Sequence, residues 1–151
     1  MPQPFESALL NIKLYELRRE PVLREARAWF VRDFNPASLA ELGEIVSSDR
    51  NAAFRMVLGY WDFAASMVTT GAIDAEAFLA AHNEIYATFG KIQPFLDDIR
   101  RLSDEPDFCK HLEAVVMGDA RAQAIIDRRR AAIAAAAKAA AARAGGEPQA
   151  S

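Results

Sequence analysis

The sequence predicts an all-α protein, and two observations carry this prediction. Apolar side chains recur every three or four residues along most of the chain, which is typical of amphipathic helices. The seven glycines and seven prolines fall mostly between these periodic segments, and no run of four or more residues alternates polar and apolar side chains with β-branched enrichment. We therefore expect a compact bundle of about six helices with an Ala-rich helical extension at its C-terminal end.

The first three helices are expected within residues 5–46. The first runs from about Phe5 to Arg19 and carries a wide apolar stripe. Pro21 suits the first turn of the second helix, where its missing N–H would have no partner in any case, and Asn35-Pro36 ends that helix. Ser38 and Glu41 match a capping box, in which each side chain satisfies a free backbone donor, and this pattern predicts a short third helix over 39–46.

The most apolar segment, about residues 52–70, is expected to form the central helix of the bundle. Its large side chains lie almost all round the helix and leave no broad polar face. Gly71 can adopt the left-handed conformation that ends a helix. Asp74 then caps the next helix after a short link, so we expect an antiparallel helical hairpin.

Apolar side chains at seven-residue spacing, from Phe78 to Ile99, predict a long helix that packs along its length. The ring of Pro94 would crowd the carbonyl of Gly90, four residues earlier, and we therefore expect a kink near 90–94. Ser103, followed by two acidic residues and a proline, predicts the start of a further helix that runs to about Met117.

The chain divides into two parts of different composition. Residues 1–118 carry 12 Lys and Arg against 18 Asp and Glu, a charge of −6, whereas residues 119–151 carry 6 against 3, a charge of +3. The second part also holds 15 of the 31 alanines, and alanine favours helix without adding core volume. We expect a helical domain over 1–118, an Ala/Arg-rich helix over 119–145 and a disordered tail over 146–151.

Several classes of protein are disfavoured by the composition. The single cysteine, Cys109, cannot form an internal disulfide. One cysteine and two histidines are also too few for a structural zinc module, so we expect no metal and no cofactor. No signal peptide and no uncharged window long enough for a membrane span is evident, and a cytoplasmic location is expected. The motifs of the common hydrolases, nucleotide-binding folds and zinc proteases are also missing, which favours a non-enzymatic protein.

A narrow polar line along the central helix is the first candidate site. Arg55, Asp62 and Ser66 fall on one side of that helix, and they predict a ligand-binding pocket if the carboxylate is desolvated. The alternative interpretation is structural: Asp62 would pair with an arginine of a neighbouring helix, either Arg27 or Arg100, because buried charges are usually paired. The structural interpretation is the stronger of the two.

His82 is a further ligand-binding candidate, because it lies in the seven-residue repeat among apolar side chains. The competing interpretation is a core histidine with one ring nitrogen bonded to a neighbour. His82 and Glu84 match the H-x-E spacing of zinc deaminases, but that metal site needs two thiolates, and the chain has one cysteine.

The basic extension is the candidate surface for partners. Ile126 and Ile133 are seven residues apart among alanines, which permits close helix pairing, and we expect a homo-oligomer or an adaptor for another protein. Arg128, Arg129 and Arg130 could instead meet nucleic acid phosphates. Three consecutive arginines point in different directions around a helix, and no aromatic residue lies beyond Phe108 to stack a base, so nucleic-acid binding is disfavoured. The leading hypothesis is a non-enzymatic interaction or oligomerisation domain. A ligand-binding pocket along the polar line of the central helix is the first alternative, and weak nucleic-acid binding by the basic extension is the second alternative.

Three stretches of the chain, residues 14–30, 60–73 and 92–100, together resemble an uncharacterised family of small helical bacterial domains. They contain Tyr15-Glu-Leu-Arg, Ala26-Arg-Ala-Trp, Gly71-Ala-Ile-Asp and Pro94-Phe, the last followed by Arg100. The resemblance covers about residues 12–112 and leaves out the Ala-rich extension. It implies a single all-helical domain of unknown function, and it transfers no activity to this chain.

Overall fold

Helices form most of residues 2–146, the part of the chain that the computed structural model describes. The α-helices span α1 Pro4–Arg18, α2 Pro21–Arg32, α3 Leu39–Val46, α4 Asn51–Thr69, α5 Ala75–Ala81, α6 Glu84–Ile92, α7 Leu96–Ser103, α8 Lys110–Met117 and α9 Ala122–Ala144. A 3-10 turn, Gln93–Phe95, separates α6 from α7. No strand occurs in this part of the chain, and the predicted all-α class is confirmed. The number of helices exceeds the six that were expected.

Local signals at the helix ends account for several boundaries. Ser38 caps α3 by accepting a hydrogen bond from the N–H of Glu41 at 3.2 Å, as the capping-box pattern predicts. Gly71 has a φ of 81° and ends α4 in the left-handed conformation. The carboxylate of Asp74 accepts from the N–H of Ala77 and caps α5.

The core lies where α4 and α6 meet the surrounding helices. α4 packs against α2, α3 and α8, and α6 packs against α2, α8 and α9. One end of the core is an aromatic cluster in which the rings of Phe30 and Phe34 stack with centroids 4.5 Å apart, with Trp29 and Phe54 beside them. The other end contains Trp61 and the apolar side chains of α5, α6 and α8.

The single long helix predicted over 78–99 is wrong, because the segment is divided into α5, α6 and α7. The first break falls at His82, whose φ of −126° and ψ of 50° are not helical. The second is the 3-10 turn that contains Pro94, at the place where a kink was expected. Since these breaks turn the chain, the seven-residue spacing reflects burial against several neighbours and not one continuous seam.

Two other predictions about the helices are wrong. Ser103 does not start a helix: it ends α7, Asp104 follows in the left-handed conformation, and α8 begins only at Lys110. α4 also has a broad exposed face, which includes Met56 and Phe63, so it is not enclosed on all sides. A disordered tail was predicted over 146–151. Residues 147–151 of this segment lie outside the described part of the chain.

Candidate functional site

The predicted polar line on α4 is divided among separate contacts. Arg55 is exposed, and the hydroxyl of Ser66 donates to the carbonyl of Phe63 in its own helix at 2.6 Å. Oδ1 of Asp62 accepts from the backbone N–H groups of His111 and Leu112, at 3.0 and 2.9 Å. Asp62 therefore accepts hydrogen bonds from backbone N–H groups at the start of α8 that have no partner within the helix. The helix dipole also favours a negative charge at this end. The partner of Asp62 is thus a helix N-terminus and neither of the expected arginines, Arg27 and Arg100.

Cys109 lies at the position before α8 and is buried against the core. Burial, together with the nearby charge of Asp62, raises the pKa of its thiol to about 12. The thiol is therefore protonated at neutral pH and lacks the lowered pKa that a nucleophilic cysteine needs. Residues 2–146 contain no group of three His, Cys, Asp or Glu side chains placed to hold a metal ion.

His82 lies beside Trp61 of α4 and is almost fully buried, with 1% of its surface exposed. Its Nδ1 is 3.4 Å from Nη1 of Arg18, and its Nε2 is 3.2 Å from Oδ1 of Asn11. A guanidinium can only donate, so Nδ1 is the accepting nitrogen and Nε2 carries the hydrogen. Both partners belong to α1, and His82 thus holds that helix against the bundle.

The buried imidazole is neutral under ordinary conditions. Burial, and then the positive charge of Arg18, lower the pKa of His82 to about 4. The aromatic rings of Phe78 and Trp61 lie 4.8 and 6.1 Å from the imidazole, centroid to centroid, and they keep water from it. His82 is accordingly a core histidine of the kind that the sequence suggested, with both ring nitrogens bonded.

Arg18 and Arg27 converge on one carboxylate, that of Glu84 at the first turn of α6. Arg27 binds it with a fork of two hydrogen bonds, from Nε at 2.9 Å and from Nη2 at 2.5 Å, and Arg18 adds a third from Nη2 at 3.1 Å. Nη1 of Arg27 also donates to the carbonyl of Arg18. The two arginine side chains are only 14% and 15% exposed. This cluster links α1, α2 and α6, and its two cations share a single negative charge.

Two buried donors in this region have no hydrogen-bond partner among the described residues: Nε of Arg18 and Nε1 of Trp61. The guanidinium of Arg18 lies 5.2 Å from the centre of the Trp61 ring and 5.8 Å from that of Tyr15. It is therefore stacked near two aromatic faces, which stabilise a cation that is partly removed from water.

A surface pocket opens beside this cluster, where the end of α1 meets the start of α2. It has a volume of about 480 Å³, and it is lined by Tyr15, Arg18, Arg19, Arg24 and Arg27. We call it the arginine pocket. Arg19 and Arg24 are exposed and form no ion pair with a carboxylate in the described part of the chain.

α1 is unusual in how little of its apolar surface is covered. Its buried side chains are Ser7 and Leu14. Phe5, Leu9 and Ile12 recur at four- and three-residue spacing on the side away from the core, and 74%, 51% and 56% of their surfaces are exposed. We call these three residues the α1 apolar face. Leu10, Tyr15 and Leu17, on the flanks of the same helix, are exposed as well.

The candidate partner residues of the basic extension have different locations. Ile126 is buried in the core, and its Cγ2 would lie 3.0 Å from a Cβ placed on Gly90, so it is not free to contact a partner. Nη2 of Arg130 donates to the carbonyl of Gly90 and to the side chain of Gln93. Ile133 is partly exposed, and Arg128 is exposed. Arg129, the next residue after Arg128, is half-buried.

The cluster of Arg18, Arg27 and Glu84 is not evident from the sequence, because Glu84 lies far from the two arginines in the chain. Arg27 was considered only as a partner for Asp62, and Glu84 only as part of a zinc motif. One local signal was present: four arginines, at 18, 19, 24 and 27, flank the turn at Pro21. A helical hairpin brings such residues together, but the sequence does not show which carboxylate joins them.

The chain is thus an all-helical domain, and within residues 2–146 no helix is both long and apolar enough to cross a membrane. Residues 5–118 match a family described as Domain of unknown function (DUF4760), and the chain belongs to this family. The match confirms the resemblance to an uncharacterised domain family, and it ends at the residue where the composition changes. No curated protein and no solved structure matches the chain.

Proposed function

We propose that this chain is a non-enzymatic interaction domain that pairs with a second copy of itself through the α1 apolar face. The observation that carries the proposal is the exposure of Phe5, Leu9 and Ile12 on a helix that buries little else. Exposed apolar side chains grouped on one surface are typical of contact sites, whereas scattered ones need no explanation.

The α1 apolar face supplies part of the area that an interface needs. Phe5, Leu9 and Ile12 present on the order of 300 Å² of surface, compared with the roughly 800 Å² that each partner buries in a stable complex. α4 lies beside α1, because the hydroxyl of Tyr60 donates to the carbonyl of Leu14 at 2.6 Å, and it carries further exposed apolar side chains, Met56 and Phe63, one turn on either side of Tyr60.

The charges beside the α1 apolar face favour a second copy of the chain as the partner. Glu6 and Lys13 are seven residues apart and lie on the same flank of α1. When two such helices pack antiparallel about a two-fold axis near Leu9, residues of the same flank meet, so Lys13 of each copy faces Glu6 of the other. A contact of this kind is self-complementary, as two-fold symmetric dimers require.

The first experiment measures the mass of the protein in solution. We expect sedimentation equilibrium to give a dimer, and Leu9→Arg to weaken dimerisation at least about 30-fold, because a charge would be buried at the centre of the contact. Leu102→Arg is the matched control, since Leu102 is an exposed leucine of α7. A wild-type chain that is monomeric at several hundred micromolar would refute the proposal, and so would equal effects of the two substitutions.

A charge exchange tests the antiparallel arrangement. Glu6→Lys should weaken the dimer, because it places two lysines opposite each other, and Glu6→Lys with Lys13→Glu should restore it. A structural effect of Glu6→Lys on α1 would not be rescued by the second change, which also removes the pair between Lys13 and Glu16. Failure of the double variant to recover any affinity contradicts the antiparallel arrangement.

Pairing through the basic extension is the competing arrangement, with Ile133 as its remaining large apolar contact. Removing residues 132–151 distinguishes the two, because it removes Ile133 and leaves the buried Ile126 and the α1 apolar face in place. We expect the truncated chain to dimerise like the full chain. Loss of the dimer on truncation would assign the contact to α9.

A further inference from the structure

The arginine pocket has more positive charge than the surrounding residues neutralise. Arg18 and Arg27 share Glu84, and Arg19 and Arg24 add two cations that form no ion pair within residues 2–146. Glu20 adjoins Arg19 in the sequence, but both of its oxygens accept from the backbone N–H groups at the start of α2. Four guanidinium groups therefore surround a pocket that has one carboxylate behind it.

Burial makes this imbalance significant. Charged side chains that are mostly removed from water are usually neutralised by a partner, because desolvation of an unpaired charge is costly. Arg18 and Arg27 are largely buried, yet the carboxylate of Glu84 can neutralise only one of them. A negative charge bound in the pocket would neutralise the other.

Two of the four arginine side chains, those of Arg18 and Arg27, are also held in place before any ligand arrives. Arg27 is fixed by its fork on Glu84 and by the carbonyl of Arg18, and Arg18 is stacked beside the rings of Trp61 and Tyr15. Fixed donors lose little conformational entropy on binding, which favours affinity. Tyr15 adds an aromatic wall at the edge of the pocket.

We propose that the arginine pocket binds a ligand through a phosphate group. A phosphate monoester has a charge near −2 and three strong acceptor oxygens, and guanidinium groups bind such oxygens in pairs. That charge offsets two of the three positive charges of the pocket that lack a carboxylate. The volume of about 480 Å³ accommodates a phosphate with a small organic group attached. The phosphate can belong to a free small molecule or to a lipid headgroup.

The test uses inorganic pyrophosphate as the probe for a free ligand. Calorimetry of the full chain should give saturable binding, and the NMR resonance of Arg18 Nε should shift on titration. Arg24→Gln and Arg19→Gln should each weaken binding about 10-fold, the effect of losing one charge-assisted hydrogen bond. These two residues are exposed, so their replacement leaves the fold intact.

Arg55→Gln is the matched control, because Arg55 is an exposed arginine of α4 that does not line the pocket. It should leave the affinity for pyrophosphate unchanged. A second arm measures sedimentation of the chain with vesicles that contain phosphatidic acid. Binding that Arg24→Gln weakens and Arg55→Gln does not supports the proposal in either arm, and the arm with the tighter binding identifies the source of the phosphate.

The proposal is overturned if neither probe binds, or if Arg55→Gln and Arg24→Gln reduce binding equally, since general surface charge would then explain the effect. It is independent of self-association. The pocket lies at the end of α1, away from Leu9, so the Leu9→Arg variant should bind pyrophosphate as the wild-type chain does. Loss of binding in that variant contradicts a pocket formed within one chain.

Discussion

Replacing His82 with glutamine should remove one contribution to the pH dependence of stability. The pKa of His82 is about 4 in the folded protein and near its ordinary value of 6.5 when the chain unfolds. Between these values the unfolded chain binds a proton that the folded chain does not, so acid favours unfolding. One such proton changes the free energy of unfolding by about 1.4 kcal/mol per pH unit, and about 3 kcal/mol is lost between pH 6.5 and 4. Below pH 4 the folded form is protonated too, and the loss ends.

The measurement is urea unfolding, followed by circular dichroism, at several pH values between 4 and 7. The difference in unfolding free energy between the wild type and His82→Gln should fall by about 3 kcal/mol from pH 7 to pH 4, because all carboxylates are common to both proteins. His111→Gln is the control, since it removes the other histidine and retains the His82 contribution. Parallel pH profiles for the wild type and His82→Gln would refute the reasoning, and a direct NMR titration of the imidazole would then place its pKa near 6.5.

Two further predictions concern stability. Asp62→Ala should lower the free energy of unfolding by about 1 to 2 kcal/mol, because it removes the acceptor for two N–H groups of α8. Asp62→Asn should lower it less, because the amide keeps an oxygen at the same place. Urea unfolding at pH 7 checks both, and an Asp62→Ala variant as stable as the wild type contradicts the capping role. Gly59→Ala should stabilise the protein by about 1 kcal/mol, because Gly59 is exposed within α4 and an added Cβ meets nothing within 4 Å. Gly90→Ala should stabilise the protein less than Gly59→Ala or destabilise it, because its Cβ would press against Ile126. Equal shifts in melting temperature for the two variants would show that this contact is not tight.

Helix ends set by neighbouring residues could be predicted from the sequence, and those set by distant residues could not. The capping residues Ser38 and Asp74 and the left-handed Gly71 act on groups within four residues, and all three were identified. The break at His82 has a different origin. Its ring is held by Arg18 and Asn11, which precede it by 64 and 71 residues, and no local pattern signals such a contact.

The candidate site was predicted only in part, for a related reason. Burial of His82 followed from its apolar neighbours, and the structural role of Asp62 followed from its position among them. The partner of Asp62 did not follow, because arginine side chains are visible in a sequence as possible partners and free backbone N–H groups are not. The start of α8 was placed seven residues too early, at Ser103, and this error hid the helix end that Asp62 caps.

The last helix has a mechanical consequence. α9 is anchored at its beginning by the buried Ala122 and Ile126, whereas every residue over 131–144 is exposed. At 1.5 Å per residue, this free part extends for about 20 Å. Because alanine-rich helices are semi-rigid, the far end of α9 is held at a set distance and direction from the bundle. The exposed part of α9 is thus a semi-rigid arm whose length, and not only its composition, is set by the number of residues beyond its buried anchor.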